Sequence, residues 1–172
     1  PLIKKGDDIA EIFIKQSIDE EIKVMDKDII ILSHKIISKS EGRVVHLSDV
    51  IPSSRAIEMS KKTDKDPRLI ELILSETIKI IKNDEHFLLV KERNGIICLN
   101  AGIDKSNIEG EDAYCLLPID PNKSAKLIMN KIKKITNKNV GVIICDTYSR
   151  PFRKGQTNQA IGISGISPFR DY

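Results

Sequence analysis

Tryptophan is absent from this chain, and Phe and Tyr together make up only 4% of its 172 residues. A stacking platform of aromatic rings for single-stranded nucleic acid is therefore not expected. Long hydrophobic runs are missing too. Stretches such as Ile29-Ile30-Ile31-Leu32 and Val140-Gly141-Val142-Ile143-Ile144 span about five residues, against the roughly 20 that a membrane-crossing helix needs. No charge of one sign dominates: 28 Lys and Arg face 25 Asp and Glu, leaving +3 spread along the chain, which gives no argument for nucleic acid or a membrane as partner. Nine Gly and seven Pro exclude collagen-like and low-complexity classes. The three cysteines, Cys98, Cys115 and Cys145, form no CxxC and no Cys/His pair at zinc spacing. They read as reduced core residues of a cytoplasmic protein. No secretory leader is visible in Pro1-Leu2-Ile3-Lys4-Lys5-Gly6, although a first residue other than Met suggests a lost start. Neither a GxxxxGK[ST] loop nor a GxGxxG fingerprint nor a GxSxG elbow occurs.

What is present is an ordinary globular composition, 40% hydrophobic and 31% charged, with the apolar share carried by Ile, Leu and Val. The length suits one domain with its own core. Apolar spacing predicts a helix over 9–18 capped by Asp7 or Asp8, then a strand at 29–32, a short element around Ile36 and Ile37, and a strand at 43–47. Pro52-Ser53-Ser54 starts a helix carrying Ala56, Ile57 and Met59. Asp66-Pro67 starts another, expected to run through Ile73, Thr77 and Ile78 to Ile81. The runs 86–90 and 95–99, joined through Asn94-Gly95, predict a β-hairpin. A basic helix from Asp120-Pro121 to about Thr136, a strand at 140–145 and a last strand at 160–164 complete the order. Interleaved strands and helices with hairpins indicate an α+β fold with a mixed sheet and flanking helices, a single domain over 1–172.

Two aspartates leave apolar strands for polar loops: Asp104 in Asn100-Ala101-Gly102-Ile103-Asp104, and Asp146 in Ile144-Cys145-Asp146-Thr147. A lone aspartate there most often caps the loop backbone. Two of them, with a hydroxyl following one, point towards a hard cation, which takes oxygen ligands. After Asp146 the loop also holds Arg150, Arg153, Lys154, Gly155 and Gln156. Arg150 and Arg153 are candidate catalytic clamps, because a guanidinium forks onto phosphate or carboxylate oxygens. The alternative is a solvated basic loop. A second basic stretch, from Ser33 to Arg43, offers backbone amides, Lys39 and Arg43 to an anion. His34, His46 and His86 lie in or beside strands without an evident catalytic partner, and the last two read as structural.

Ser38-Lys39-Ser40-Glu41-Gly42-Arg43, Asp66-Pro67-Arg68, the Asn100–Asn107 block, Leu116-Leu117-Pro118, Asp146-Thr147, Arg150-Pro151-Phe152-Arg153, Gly155-Gln156-Thr157 and Ala160–Gly165 stand in one order. Together they resemble the coenzyme F420:γ-L-glutamate ligases over nearly the whole chain. The resemblance implies GTP-dependent addition of L-glutamate to the lactyl carboxylate of a deazaflavin precursor through an acyl phosphate, with further γ-linked glutamates after it. It implies two divalent ions, Mg²⁺ or Mn²⁺, with K⁺ as a further ion. Asp104 and Asp146 match metal ligands, with Thr147 at the second metal. Pro1, Leu2, Ile3, His34, Lys35, Lys39 and Asn107 match GTP contacts. A homodimer is implied as well. Family members usually begin with a further strand and continue past Tyr172, so weak activity is expected of these residues by themselves. The alternative is a non-catalytic or altered-specificity relative that binds a nucleotide or flavin-like ligand.

Overall fold

The computed structural model describes residues 1–105, 110, 112–148 and 154–169. They form two compact units, the first from residues 1–42 and 118–172 and the second from residues 43–117. The fold class is α+β, with parallel and antiparallel strand pairs, as expected.

The first unit is built on a three-stranded sheet of β1 (Ile29–Ser33), β7 (Gly141–Tyr148) and β8 (Thr157–Ser164), with β7 in the middle. β1 and β7 run parallel, with Ser33 opposite Cys145, whereas β8 returns antiparallel. Alternate residues of β1, Ile30 and Leu32, are buried, and Val142 and Ile144 of β7 have no exposure at all. This is the period-two pattern of a strand with one covered face. The helix α5 (Pro121–Thr136) packs against β7 and β8, and α1 (Ile9–Asp19) packs against α5. Asp120 caps α5 by accepting the Lys123 N–H at 2.9 Å, and Asp8 caps α1 by accepting that of Glu11 at 3.0 Å. Gly162 of β8 faces the first turn of α5 so closely that a Cβ there would meet the Pro121 carbonyl at 2.5 Å. The short helix α2 (His34–Ser40) follows β1 without a linker, capped by Ser33. At its end Glu41 accepts the Ile119 N–H at 3.0 Å and the Ser124 hydroxyl at 2.5 Å, tying α2 to the start of α5.

The second unit holds α3 (Ser54–Ser60), α4 (Pro67–Ser75), the pair β2 (Val44–His46) with β6 (Ala113–Cys115), and the antiparallel sheet β3 (Thr77–Asn83), β4 (Leu88–Glu92) and β5 (Ile97–Leu99). Its core gathers Ala56, Ile70, Ile73, Leu88, Val90 and Ala101. Burying each large aliphatic side chain contributes about 1.5–3 kcal/mol.

The expected helix from Asp66 to Ile81 is half right. It ends at Ser75, and Thr77–Asn83 is a strand. Spacings of three and four suit a helix over this stretch, yet Thr77, Ile78, Ile80 and Ile81 are β-branched, and the strand pairs with β4 through Thr77 and Ile80, with irregularities at Ile78 and Ile81. The helix end is also held from outside: Arg93 donates from Nε and Nη2 to the Ser75 carbonyl, and Arg93 N–H to that of Glu76. The expected hairpin is present with its strands shifted about two residues later, closed by buried Glu92, which accepts the Asn94 and Ile96 N–H groups. β6 falls where a polar loop was expected.

Candidate functional site

In the first unit the parallel pairing of β1 with β7 ends at Ser33 and Cys145. The chain after β1 turns into α2 at His34, whereas β7 runs on to Tyr148 against β8, so the neighbouring Asp146 is still a sheet residue, opposite Gln159. The carboxyl end of parallel strands is where open α/β sheets bind ligands. His34 is buried to 2% exposure, and its Nε2 lies 3.2 Å from Asp146 Oδ1. That nitrogen nonetheless makes no aligned hydrogen bond. On the other side of the ring, Nδ1 stands 3.5 Å from the hydroxyl of Ser38, one turn further along α2 and fully buried. A buried polar atom left unsatisfied costs about 1–3 kcal/mol, so a histidine here needs a reason beyond packing.

Asp146 Oδ1 also accepts the N–H of Thr147 at 2.7 Å, and the Thr147 hydroxyl donates to Asn158 Oδ1 of β8 at 3.2 Å. Asp146 was expected in a polar loop after a strand ending at Cys145; it lies inside β7 instead, because the strand continues to Tyr148 by pairing with β8. A carboxylate and a hydroxyl on consecutive residues are the oxygen donors that a hard divalent ion takes. This donor set fits Mg²⁺ or Mn²⁺, although no group of three His, Cys, Asp or Glu side chains suited to a metal ion occurs among the described residues. Beside it, Cys145 has its thiol pushed up by burial and then by the Asp146 charge, which keeps it protonated and unreactive. None of the three cysteines is in a disulfide; Cys98 and Cys115 are buried, as their reading as core thiols expects, whereas Cys145 is only half-buried.

Lys35 and Lys39 lie four residues apart on α2, both half-buried on one face of the helix. Pro1 and Leu2 are exposed and Ile3 is half-buried. The segment behind them is fastened to α2, because Gly6 N–H donates to the Ser40 carbonyl at 2.8 Å.

Asp104 belongs to the second unit. It pairs with Cys115 through two backbone hydrogen bonds, 3.1 and 2.8 Å, after a turn in which Asn100, Ala101 and Gly102 all have positive φ, at 50°, 55° and 69°. Left-handed conformation costs a non-glycine residue about 1–2 kcal/mol. Buried Ala101 accepts this cost inside the core, and Asn100 Oδ1 accepts the Leu88 N–H at 3.2 Å to fix the turn. Gly102 is required both for its φ and because a Cβ would stand 2.8 Å from the Leu117 side chain. The Asn-Ala-Gly-Ile-Asp block is therefore a device that presents Asp104.

Two expectations change. His34, expected to lack an evident catalytic partner, has the Asp146 carboxylate beside its ring. Arg43, offered as an anion contact, is engaged within the second unit: Nη2 pairs with Glu76 Oε2 at 2.6 Å and Nε donates to the Leu117 carbonyl at 3.1 Å. His46 and His86 pair with Asp112 and Asp64 at 3.1 and 3.3 Å, on exposed ground. Asn107, Arg150 and Arg153 lie outside the described residues. Ser38 and Asn158 escaped sequence reasoning. The spacing His34 to Ser38, one helical turn, was the available signal for the first.

Fold and site together define an α+β protein with a buried histidine, a carboxylate and a hydroxyl gathered where a parallel strand pairing ends. The chain belongs to the F420-0:gamma-glutamyl ligase family, whose model matches residues 1–172. Among curated relatives, the coenzyme F420:L-glutamate ligase of Methanocaldococcus jannaschii is 42% identical over 168 residues, covering 96% of this chain and 64% of the relative. That of Archaeoglobus fulgidus is 41% identical over 172 residues, 100% of this chain and 66% of the relative. That of Methanothermobacter thermautotrophicus is 39% identical over 171 residues, covering 99% and 68%. The chain thus spans about two thirds of the length of these relatives. No helix among the described residues is long and apolar enough to cross a membrane.

Proposed function

We propose that this protein is a GTP-dependent ligase that joins L-glutamate to a deazaflavin precursor in coenzyme F420 biosynthesis and then adds further γ-linked glutamates. The observation that carries the reading is Asp146 with Thr147 at the carboxyl end of the β1–β7 pair, in a chain matched by this family over its whole length. A carboxylate does not react with an amine unaided, because its oxygen is a poor leaving group. Transfer of the γ-phosphoryl group breaks the bond to the GDP oxygen and forms an acyl phosphate. The glutamate amine then attacks the acyl carbon, phosphate leaves and the amine gives up a proton. Mg²⁺ or Mn²⁺, when bound, neutralises phosphate charge. Asp104, Asp146 and Thr147 are the proposed ligands. Lys35 and Lys39 on α2, with Pro1, Leu2, Ile3, His34 and Asn107, are the proposed GTP contacts, and fixed lysines favour the phosphates by charge. Arg150 and Arg153 are proposed to clamp substrate or phosphate oxygens. The protein is proposed to act as a homodimer.

The test is release of GDP and phosphate from GTP. Release is expected only when glutamate and precursor are both supplied. GTP left intact with both substrates and Mn²⁺ present contradicts the reading.

A further inference from the structure

The inference drawn here rests on the reading of Asp146 as a cation ligand. His34 opens α2 directly after β1 and is almost wholly buried, where an aliphatic side chain would fill the space with no polar atom to satisfy. Its two ring nitrogens face two different oxygens, Nδ1 the hydroxyl of Ser38 at 3.5 Å and Nε2 the carboxylate of Asp146 at 3.2 Å. An ionised carboxylate can only accept, whereas a hydroxyl can also donate. The consistent assignment puts the proton on Nε2 and leaves Nδ1 to accept from Ser38.

The ring is held from the helix side. Ser33 caps α2 at its start, and Glu41 beyond its end is bonded to Ile119 and Ser124. The carboxylate side is the one still open to adjustment, because Nε2 lacks an aligned bond while Oδ1 takes the Thr147 N–H. A small turn of the Asp146 carboxyl group would align it with the waiting donor.

We propose that His34 is a positioning residue for Asp146: through Nε2–H it fixes the orientation in which the carboxylate meets a divalent cation, with Ser38 selecting the ring tautomer. Ligand carboxylates depend on such outer partners, and loss of one costs about 10- to 100-fold in metal affinity.

The experiment titrates the protein with Mn²⁺ alone, followed by the electron paramagnetic resonance signal of the free ion. The samples are wild type, Asp146→Asn, His34→Leu and His34→Gln, each checked for folding by circular dichroism. His34→Leu is expected to weaken Mn²⁺ binding about 10- to 100-fold, and His34→Gln, which keeps an N–H donor, to recover part of the loss. Equal affinity in a folded His34→Leu protein overturns the inference while leaving the cation reading intact. Equal affinity in Asp146→Asn and wild type overturns the cation reading, and the inference with it. Should His34→Leu not fold, the ring ¹⁵N spectrum of the wild type decides. A neutral ring protonated at Nε2 supports the assignment, and one protonated at Nδ1 overturns it.

Discussion

Each unit presents one aspartate of interest, and they do so by different physics. In the first, Asp146 is placed by strand pairing: the parallel register of β1 and β7 sets it beside His34 of α2, and pairing with β8 holds its backbone opposite Gln159. In the second, Asp104 is placed by backbone conformation, three successive left-handed residues whose turn is sealed under Leu117 and tied to Leu88. One arrangement is adjustable, because side chains can turn. The other is stiff, since a strained backbone persists only where the surrounding packing determines it. A carboxylate can thus be presented from within a paired strand or from behind a left-handed turn, and different substitutions should break each.

The largest effect is expected from a glycine in each unit. At Gly162 φ is not positive, and the whole cost of Gly162→Ala is overlap with the backbone of Pro121, which has no freedom to move aside. A loss of about 2–3 kcal/mol, in the range of overpacked cores, is expected in denaturant unfolding. At Gly102 the overlap is with the Leu117 side chain, which can give, so the cost of Gly102→Ala is mainly the left-handed backbone, about 1–2 kcal/mol. A reversed order would show that backbone strain, and not backbone contact, dominates at these two glycines.

A smaller effect is expected in acid. Asp66 caps α4 through the Arg68 N–H at 2.8 Å, and the Arg68 guanidinium bonded to its carboxylate holds it below its ordinary value of 3.8. The unfolded carboxyl then binds protons more readily than the folded one, so this contribution is complete above the ordinary value. It is lost as pH falls below about 3.8 and through the lowered folded value. Unfolding followed as a function of pH should show this acid loss in the wild type and a shallower one in Asp66→Asn. Because the pair is largely exposed, the effect is small.

Much of the fold was legible because local signals agreed with the tertiary outcome. Asp8, Ser53, Asp66 and Asp120 all cap the helices that their positions suggest, and Asn94-Gly95 turns the hairpin. The error at Thr77–Asn83 arose where periodicity suited a helix, while the termination came from Arg93, eighteen residues beyond Ser75. No local window contains that contact. Asp104 was legible as a carboxylate beyond a strand, whereas Asp146, expected to leave its strand after Cys145, stays in β7 because the strand is extended to Tyr148 by its partner β8. The pairing of His34 with Asp146 depends on register across 112 residues of chain, and the engagement of Arg43 by Glu76 on a partner 33 residues away. The division into two units was not legible either, since no linker composition marks residues 42–43 or 117–118.

The most direct test of the central claim is the mass of the product after the protein is incubated with the deazaflavin precursor, L-glutamate, GTP and Mn²⁺. Precursor heavier by one glutamate residue is expected, followed by a ladder of further residues, with one GDP formed for each. Precursor of unchanged mass, with the protein folded and its GTP and Mn²⁺ supplied, would contradict it.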